Sequence, residues 1–157
     1  MIIDTSDLAI HRGAVAMVDG GFDPLHAGHV AYFREAAALG VPVLCNVASD
    51  EYVARKHPPL LPQAQRAVVI DAIRHIDLVH PSRTTTEDVL RMLAPRFYVK
   101  GADWADRLPP EQVRICADAG VEIVYLDTAL FSSSAILARF RGAEAARAVH
   151  VDGIPAS

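Results

Sequence analysis

An alternation constrains this chain most. Five short apolar runs, at residues 14–18 (AVAMV), 41–47 (VPVLCNV), 76–80 (IDLVH), 97–99 (FYV) and 121–126 (VEIVYL), are separated by stretches with helical spacing. Residues 27–39 place Val30, Phe33 and Ala37 on one face, and residues 63–75 align Arg66, Ile70 and Ile73. Residues 84–93 open with a Thr84–Glu87 capping box. Residues 110–119 end at Gly120, and residues 132–141 open on hydroxyls and carry Ile136, Leu137 and Phe140. Strands alternating with helices form βαβ units with right-handed crossovers. The expected fold class is therefore α/β: a single Rossmann-like domain with a five-stranded parallel sheet flanked by helices. Residues 57–62 (HPPLLP) read as a loop. The domain is expected over residues 1–141, followed by an Ala-rich, partly disordered tail over 142–157.

Composition narrows the function classes. A length of 157 residues suits one domain with a real core. No apolar run approaches the ~20 residues of a membrane span, and the first residues do not read as a secretory signal. Cys45 and Cys116 stand far apart without a CxxC, which excludes a disulfide scaffold or zinc knuckle. A reducing, cytoplasmic setting is expected. The net charge of −4 argues against a nucleic-acid surface, so any bound anion must be held by a few placed groups. The chain has 13 arginines but only two lysines, Lys56 and Lys100. A compact ammonium at those two places is either chance or a requirement.

Ligands of open α/β sheets bind beyond the carboxyl ends of the strands. After the first run comes DGGFDPLHAGH. Gly20 and Gly21 are expected to turn the backbone sharply and allow close approach to a ligand. The next helix starts near Ala27, and a helix start after a glycine turn is an anion site. His26 and His29, three apart, share a face of its first turn, and Gly28 leaves the approach between them open. Two imidazoles there can donate to phosphate oxygens. An isolated HxxH also fits a surface cap or a metal pair, but no third ligand stands at a defined spacing.

The string Gly20-Gly21-Phe22-Asp23-Pro24-Leu25-His26-Ala27-Gly28-His29 resembles the signature of the cytidylyltransferase-like nucleotidyltransferases. Further stretches resemble that family in order. Ala48-Ser49-Asp50 is similar to its "NSD" turn, with Lys56 in a segment like "KRLKG", and Gln65-Arg66 is similar to its "QR". Val99-Lys100-Gly101-Ala102-Asp103-Trp104 resembles the "VKGADY" of heptose-phosphate adenylyltransferases and the "MGDDW" of glycerol-3-phosphate cytidylyltransferase. Ser132-Ser133-Ser134 resembles the "STT" or "SSS" box opening the last helix. Both lysines thus fall on family positions.

The resemblance implies direct transfer of a nucleoside monophosphate, from ATP or less readily CTP, onto a sugar or polyol phosphate, with Mg2+ on the nucleotide and release of pyrophosphate. It implies catalytic roles for His26, His29 and Lys56. Nucleotide binding falls to Gly20, Gly21, Phe22, Asp23, Gly28, Lys100, Gly101, Asp103, Trp104, Ser132, Ser133 and Ser134, and acceptor binding to Asp50 and Arg66. A homodimer is implied by relatives of this size. The chain lacks the arginine of "RTEGISTT" in the glycerol-phosphate branch and the "EDTP" segment of the heptose branch, reading Ser82-Arg83-Thr84-Thr85-Thr86 at the latter place. The competing reading is a nucleotide-sensing module without chemistry.

Overall fold

The structure is a computed structural model that describes residues 1–127 and 133–151, the side chains of the last helix to residue 142. After a 3-10 segment at Thr5–His11 come β1 (Ala16–Gly20), α1 (Ala27–Ala37), β2 (Val43–Val47), a short α2 (Asp50–Ala54), α3 (Gln63–Asp71), β3 (Leu78–Pro81), α4 (Thr86–Leu93), β4 (Phe97–Gly101), α5 (Pro110–Ala119), β5 (Glu122–Leu126) and α6 (Ser133–Val151). The five strands pair in parallel in the order β3-β2-β1-β4-β5. The strand order therefore reverses between β1 and β4, and a crevice opens beyond their carboxyl ends.

Four strands start one or two residues later than the apolar runs, β4 starts with its run at Phe97, and β1, β3 and β4 extend past theirs. Asp19 and Gly20 belong to β1 because they pair in register with Asn46 and Val47. Their ladder bonds outweigh their polarity. Alternation along the strands creates two layers. One packs Met17, Leu44 and Tyr98 with Val89, Leu90, Leu93, Ile115 and Cys116 of α4 and α5. The other packs Val18, Cys45 and Val99 with Phe33 and Ala36 of α1 and Ala67 and Ile70 of α3.

Several local expectations change. Val30 is exposed, and Phe33 with Ala36 carries the buried stripe of α1. Thr85, not Thr84, caps α4 by accepting the Asp88 N–H at 3.2 Å. Gly120 ends α5 in the left-handed region (φ 68°), which suits a residue without Cβ. Helix α6 runs past residue 141 to Val151. Ser132 and residues 152–157 lie outside the described residues.

Candidate active site

The crevice encloses about 870 Å3 and is walled by the ends of β1 and β4, the first turn of α1, the α2 segment, the start of α4 and the start of α6. His26 is the N-cap of α1, and its Nδ1 accepts the Gly28 N–H at 3.1 Å. The His29 Nδ1 accepts the His26 N–H at 3.4 Å. A ring nitrogen that accepts carries no proton, so each neutral ring must carry its proton on Nε2. The rings stack with centroids 3.8 Å apart. Burial lowers both imidazole pKa values, His29 to about 4 with the neighbouring His26 adding to the effect. At neutral pH the pair is therefore uncharged and presents two Nε2–H donors. The His26 Nε2 is buried without a hydrogen-bond partner among the described residues. Such an orphan costs free energy unless a ligand supplies the acceptor.

The glycines act differently from the expectation. Neither Gly20 nor Gly21 is in the left-handed region; Phe22 is, at φ 52°. That strained bend turns the Phe22 ring inward, edge-on to His29 at 5.1 Å and against Phe33. The glycines are needed for room. A Cβ on Gly20 would lie 3.1 Å from the Phe22 ring, and one on Gly21 3.1 Å from the Val53 side chain. Both glycines and Phe22 still line the crevice, as does Gly28.

At the β4 side, Lys100 is only 6% exposed. Its Nζ donates to Asp19 Oδ1 at 2.8 Å and lies 4.3 Å from the centre of the Trp104 ring. The ammonium is therefore already neutralised and fixes the indole as a crevice wall. Asp103 also lines the crevice, but its carboxylate pairs with Arg107 at 2.8 Å. A Cβ on Gly101 would reach within 2.6 Å of Asp103 Oδ1, so the missing side chain permits this turn. Ser133 and Ser134 face the crevice, and Ser133 Oγ donates to the Pro24 carbonyl at 2.9 Å, tying α6 to the approach of α1. Lys56 is exposed at the rim, just past α2.

Three residues expected to touch ligands are turned elsewhere. Arg66 is 1% exposed, and its guanidinium donates to the Gly21 carbonyl at 2.6 Å, the Leu61 carbonyl at 3.0 Å and Asp50 at 2.6 Å. Asp23 is buried and accepts the Leu60 and Leu61 N–H groups at 2.7 and 3.2 Å. Neither they nor Asp50 wall the crevice. Together they pin the proline-rich loop 57–62 to the glycine bend, because buried charges persist only where partners satisfy them. They are a brace behind the site rather than its surface.

The structure adds residues that the sequence reading missed. Asp19 gathers Lys100, the Thr86 hydroxyl at 3.2 Å and the Tyr98 hydroxyl at 3.3 Å. The Tyr98 hydroxyl, whose one proton is shared between Asp19 and Gln112, also lies 3.0 Å from Gln112 Oε1, and the Gln112 amide donates to Glu87 at 2.8 Å. Burial, reinforced by Asp19, raises the Tyr98 pKa far enough to keep it a donor. One signal was available: Asn46 is a lone amide inside an apolar run, in register with Asp19.

An open parallel sheet with a crevice at its reversal point, walled by the start of a helix, is the frame of a nucleotide-binding α/β domain. The family described as cytidylyltransferase-like matches residues 17–139. The chain belongs to this cytidylyltransferase-like family of nucleotidyltransferases. It is 34% identical over 132 residues to the bifunctional protein HldE of Halorhodospira halophila, a match covering 81% of this chain and 28% of that protein. Against the bifunctional protein HldE of Nitrosococcus oceani it is 38% identical over 112 residues, covering 68% and 23%. The chain thus spans about a quarter of these relatives' length. The crystal structure of a lipopolysaccharide core biosynthesis protein from Thermoplasma volcanium shares the fold (TM-score 0.63, 20% identity, 74% of this chain and 98% of that one). A protein of unknown function from Archaeoglobus fulgidus does so at a TM-score of 0.59, with 21% identity over 76% of this chain and 93% of that one.

Proposed function

We propose that this chain transfers a nucleoside monophosphate from ATP onto a sugar or polyol phosphate and releases pyrophosphate. The observation that carries the reading is the stacked His26–His29 pair, uncharged and with both Nε2–H groups left to donate at the start of α1. The acceptor phosphate oxygen forms a bond to the α-phosphorus while the bond to the leaving pyrophosphate breaks. The phosphate is already ionised, so no strong base is needed. Catalysis then consists of alignment and of donors aimed where charge builds up. The two imidazoles at the start of α1 stabilise the α-phosphate oxygens. Lys56 at the rim meets the departing pyrophosphate. Trp104 offers the base a flat face, and Ser133 and Ser134 lie beside the bound nucleotide. A thiol nucleophile does not fit, because Cys45 and Cys116 are buried and burial raises both thiol pKa values.

Among the described residues no group of three or more His, Cys, Asp or Glu side chains could hold a metal ion. The protein therefore lacks a cage of its own there, and Mg2+ fits as part of the nucleotide, held chiefly by phosphate oxygens. It would supply charge neutralisation on the triphosphate.

CTP is the second reading, supported by Trp104, which stands where the cytidylyl branch carries its tryptophan. No described helix is long and apolar enough to cross a membrane. A cytoplasmic setting suits the two free thiols. The exposed Val68 and Val69 on α3 are the candidate contact of a homodimer. The test is pyrophosphate release from ATP and CTP with a panel of heptose 1-phosphates, glycerol 3-phosphate, phosphonates and phosphocholine. ATP with a sugar phosphate should be fastest. Release with no member of the panel would overturn the reading.

A further inference from the structure

Along the α4–α5 face of the sheet, the apolar row Met17–Leu44–Leu78 is followed, two residues on, by a polar row. Asp19 on β1, Asn46 on β2 and His80 on β3 stand side by side in register. His80 is fully buried; its Nδ1 lies 2.7 Å from Asn46 Oδ1 and its Nε2 2.9 Å from the Thr5 hydroxyl. An amide oxygen only accepts, so His80 carries its proton on Nδ1 and Thr5 donates to Nε2. With its oxygen facing the His80 ring, the Asn46 amide turns its NH2 away from that ring. Asn46 is 3% exposed and lines the crevice, and its NH2 has no partner among the described residues. Amide donors left free at a crevice wall are available to an acceptor on a bound ligand.

The surroundings specify that ligand. Asp19 and Glu87 line the same crevice, as do Thr86 and Arg83, and Tyr98 and Gln112 connect the two carboxylates. Both carboxylates are preset: Asp19 by Lys100, Tyr98 and Thr86, Glu87 by Gln112. Lys100 is spent on Asp19, so this stretch of the crevice wall, with its two carboxylates, disfavours a phosphate group beside it. It presents alternating acceptors and donors, which is what hydroxyl groups need, since each both donates and accepts.

We propose that Asn46, Asp19 and Glu87 form the subsite for the hydroxyl-bearing part of the acceptor, Asn46 donating and the two carboxylates accepting. The acceptor class is a polyhydroxylated sugar phosphate whose phosphate points away, towards His26 and His29. His80 is a positioning residue that acts through Asn46. This inference rests on the nucleotidyl-transfer reading and narrows its acceptor.

The experiment measures pyrophosphate release at saturating ATP against mannose 1-phosphate, and against methyl phosphate as a hydroxyl-free control, for the wild type, Asn46→Ala and Glu87→Gln. Each variant should raise the KM for mannose 1-phosphate by about 3–10-fold, the value of one hydrogen bond. The KM for ATP should stay within about twofold. His80→Phe should shift the same KM in the same direction, and thermal melting identifies any variant that fails to fold. The near-isosteric Glu87→Gln keeps the test open if Asn46→Ala does fail. An unchanged acceptor KM, a raised ATP KM instead, or methyl phosphate used as well as mannose 1-phosphate would overturn the subsite. Saturation-transfer NMR with mannose 1-phosphate separates the two ideas. Binding that depends on Asn46 without any turnover refutes the reaction and supports the subsite, whereas neither binding nor turnover refutes both.

Discussion

Replacing Arg66 by Met separates a brace from a ligand contact. The guanidinium is 1% exposed and makes three hydrogen bonds, to two carbonyls and to Asp50. Methionine fills much of the volume but satisfies none of them. The Asp50 side chain is 42% exposed and can turn to water. The Gly21 and Leu61 carbonyls lose a charged donor, and stranding a buried polar group costs roughly 1–3 kcal/mol each. Removing the buried guanidinium also relieves its own desolvation. The net loss is therefore roughly 2–4 kcal/mol, or about 5–15 °C in Tm for a chain of this size. Arg66→Lys should recover only part of it, because a single ammonium cannot span three acceptors in a fixed fork. The assays are urea unfolding and ATP binding followed through Trp104, the only tryptophan in the chain. Binding well below the Tm should stay within about threefold of wild type. An unchanged unfolding midpoint together with a tenfold or greater loss of nucleotide or acceptor affinity would refute the brace and restore Arg66 as a ligand.

Other consequences can be checked separately. His29→Ala should lower kcat by roughly 10²–10³, as expected for a lost preorganised donor, with pyrophosphate release as the readout. Because the folded pKa of His29, about 4, lies below the usual 6.5, the unfolded chain binds more protons between those values. Its contribution to stability is thus complete above pH 6.5 and falls as the pH drops towards 4, a slope that His29→Gln should flatten in urea melts. Gly20→Ala should lower kcat more than it lowers Tm, because the added methyl presses on the Phe22 ring that abuts His29. Thr85→Ala should cost about 1 kcal/mol through loss of the α4 cap.

The architecture was legible because strand and helix periods alternate and because glycine and proline punctuate them. The histidine turn was legible because its residues are contiguous. What escaped reading depends on long-range pairing. Arg66 looks like any helical arginine until the fold places Gly21 and Leu61 around it. Asp19 looks like a residue past the end of a strand until its register with Asn46 makes it part of β1. Lys100 was found, but its partner was not, since 81 positions separate it from Asp19. The strained residue was misplaced for a related reason: glycine permits a left-handed bend, yet here the inward packing of Phe22 fixes the bend and the glycines make room for it.

The central claim concerns two protons. Long-range 1H–15N correlation spectra of the imidazoles, recorded across pH and with a non-hydrolysable ATP analogue, test it most directly. The account predicts that at pH 7 His26 and His29 are both neutral with the proton on Nε2, that His29 titrates near pH 4, and that both Nε2 signals shift when the analogue binds. Protons on Nδ1, titration of His29 at an ordinary histidine pKa, or signals indifferent to the nucleotide would contradict it.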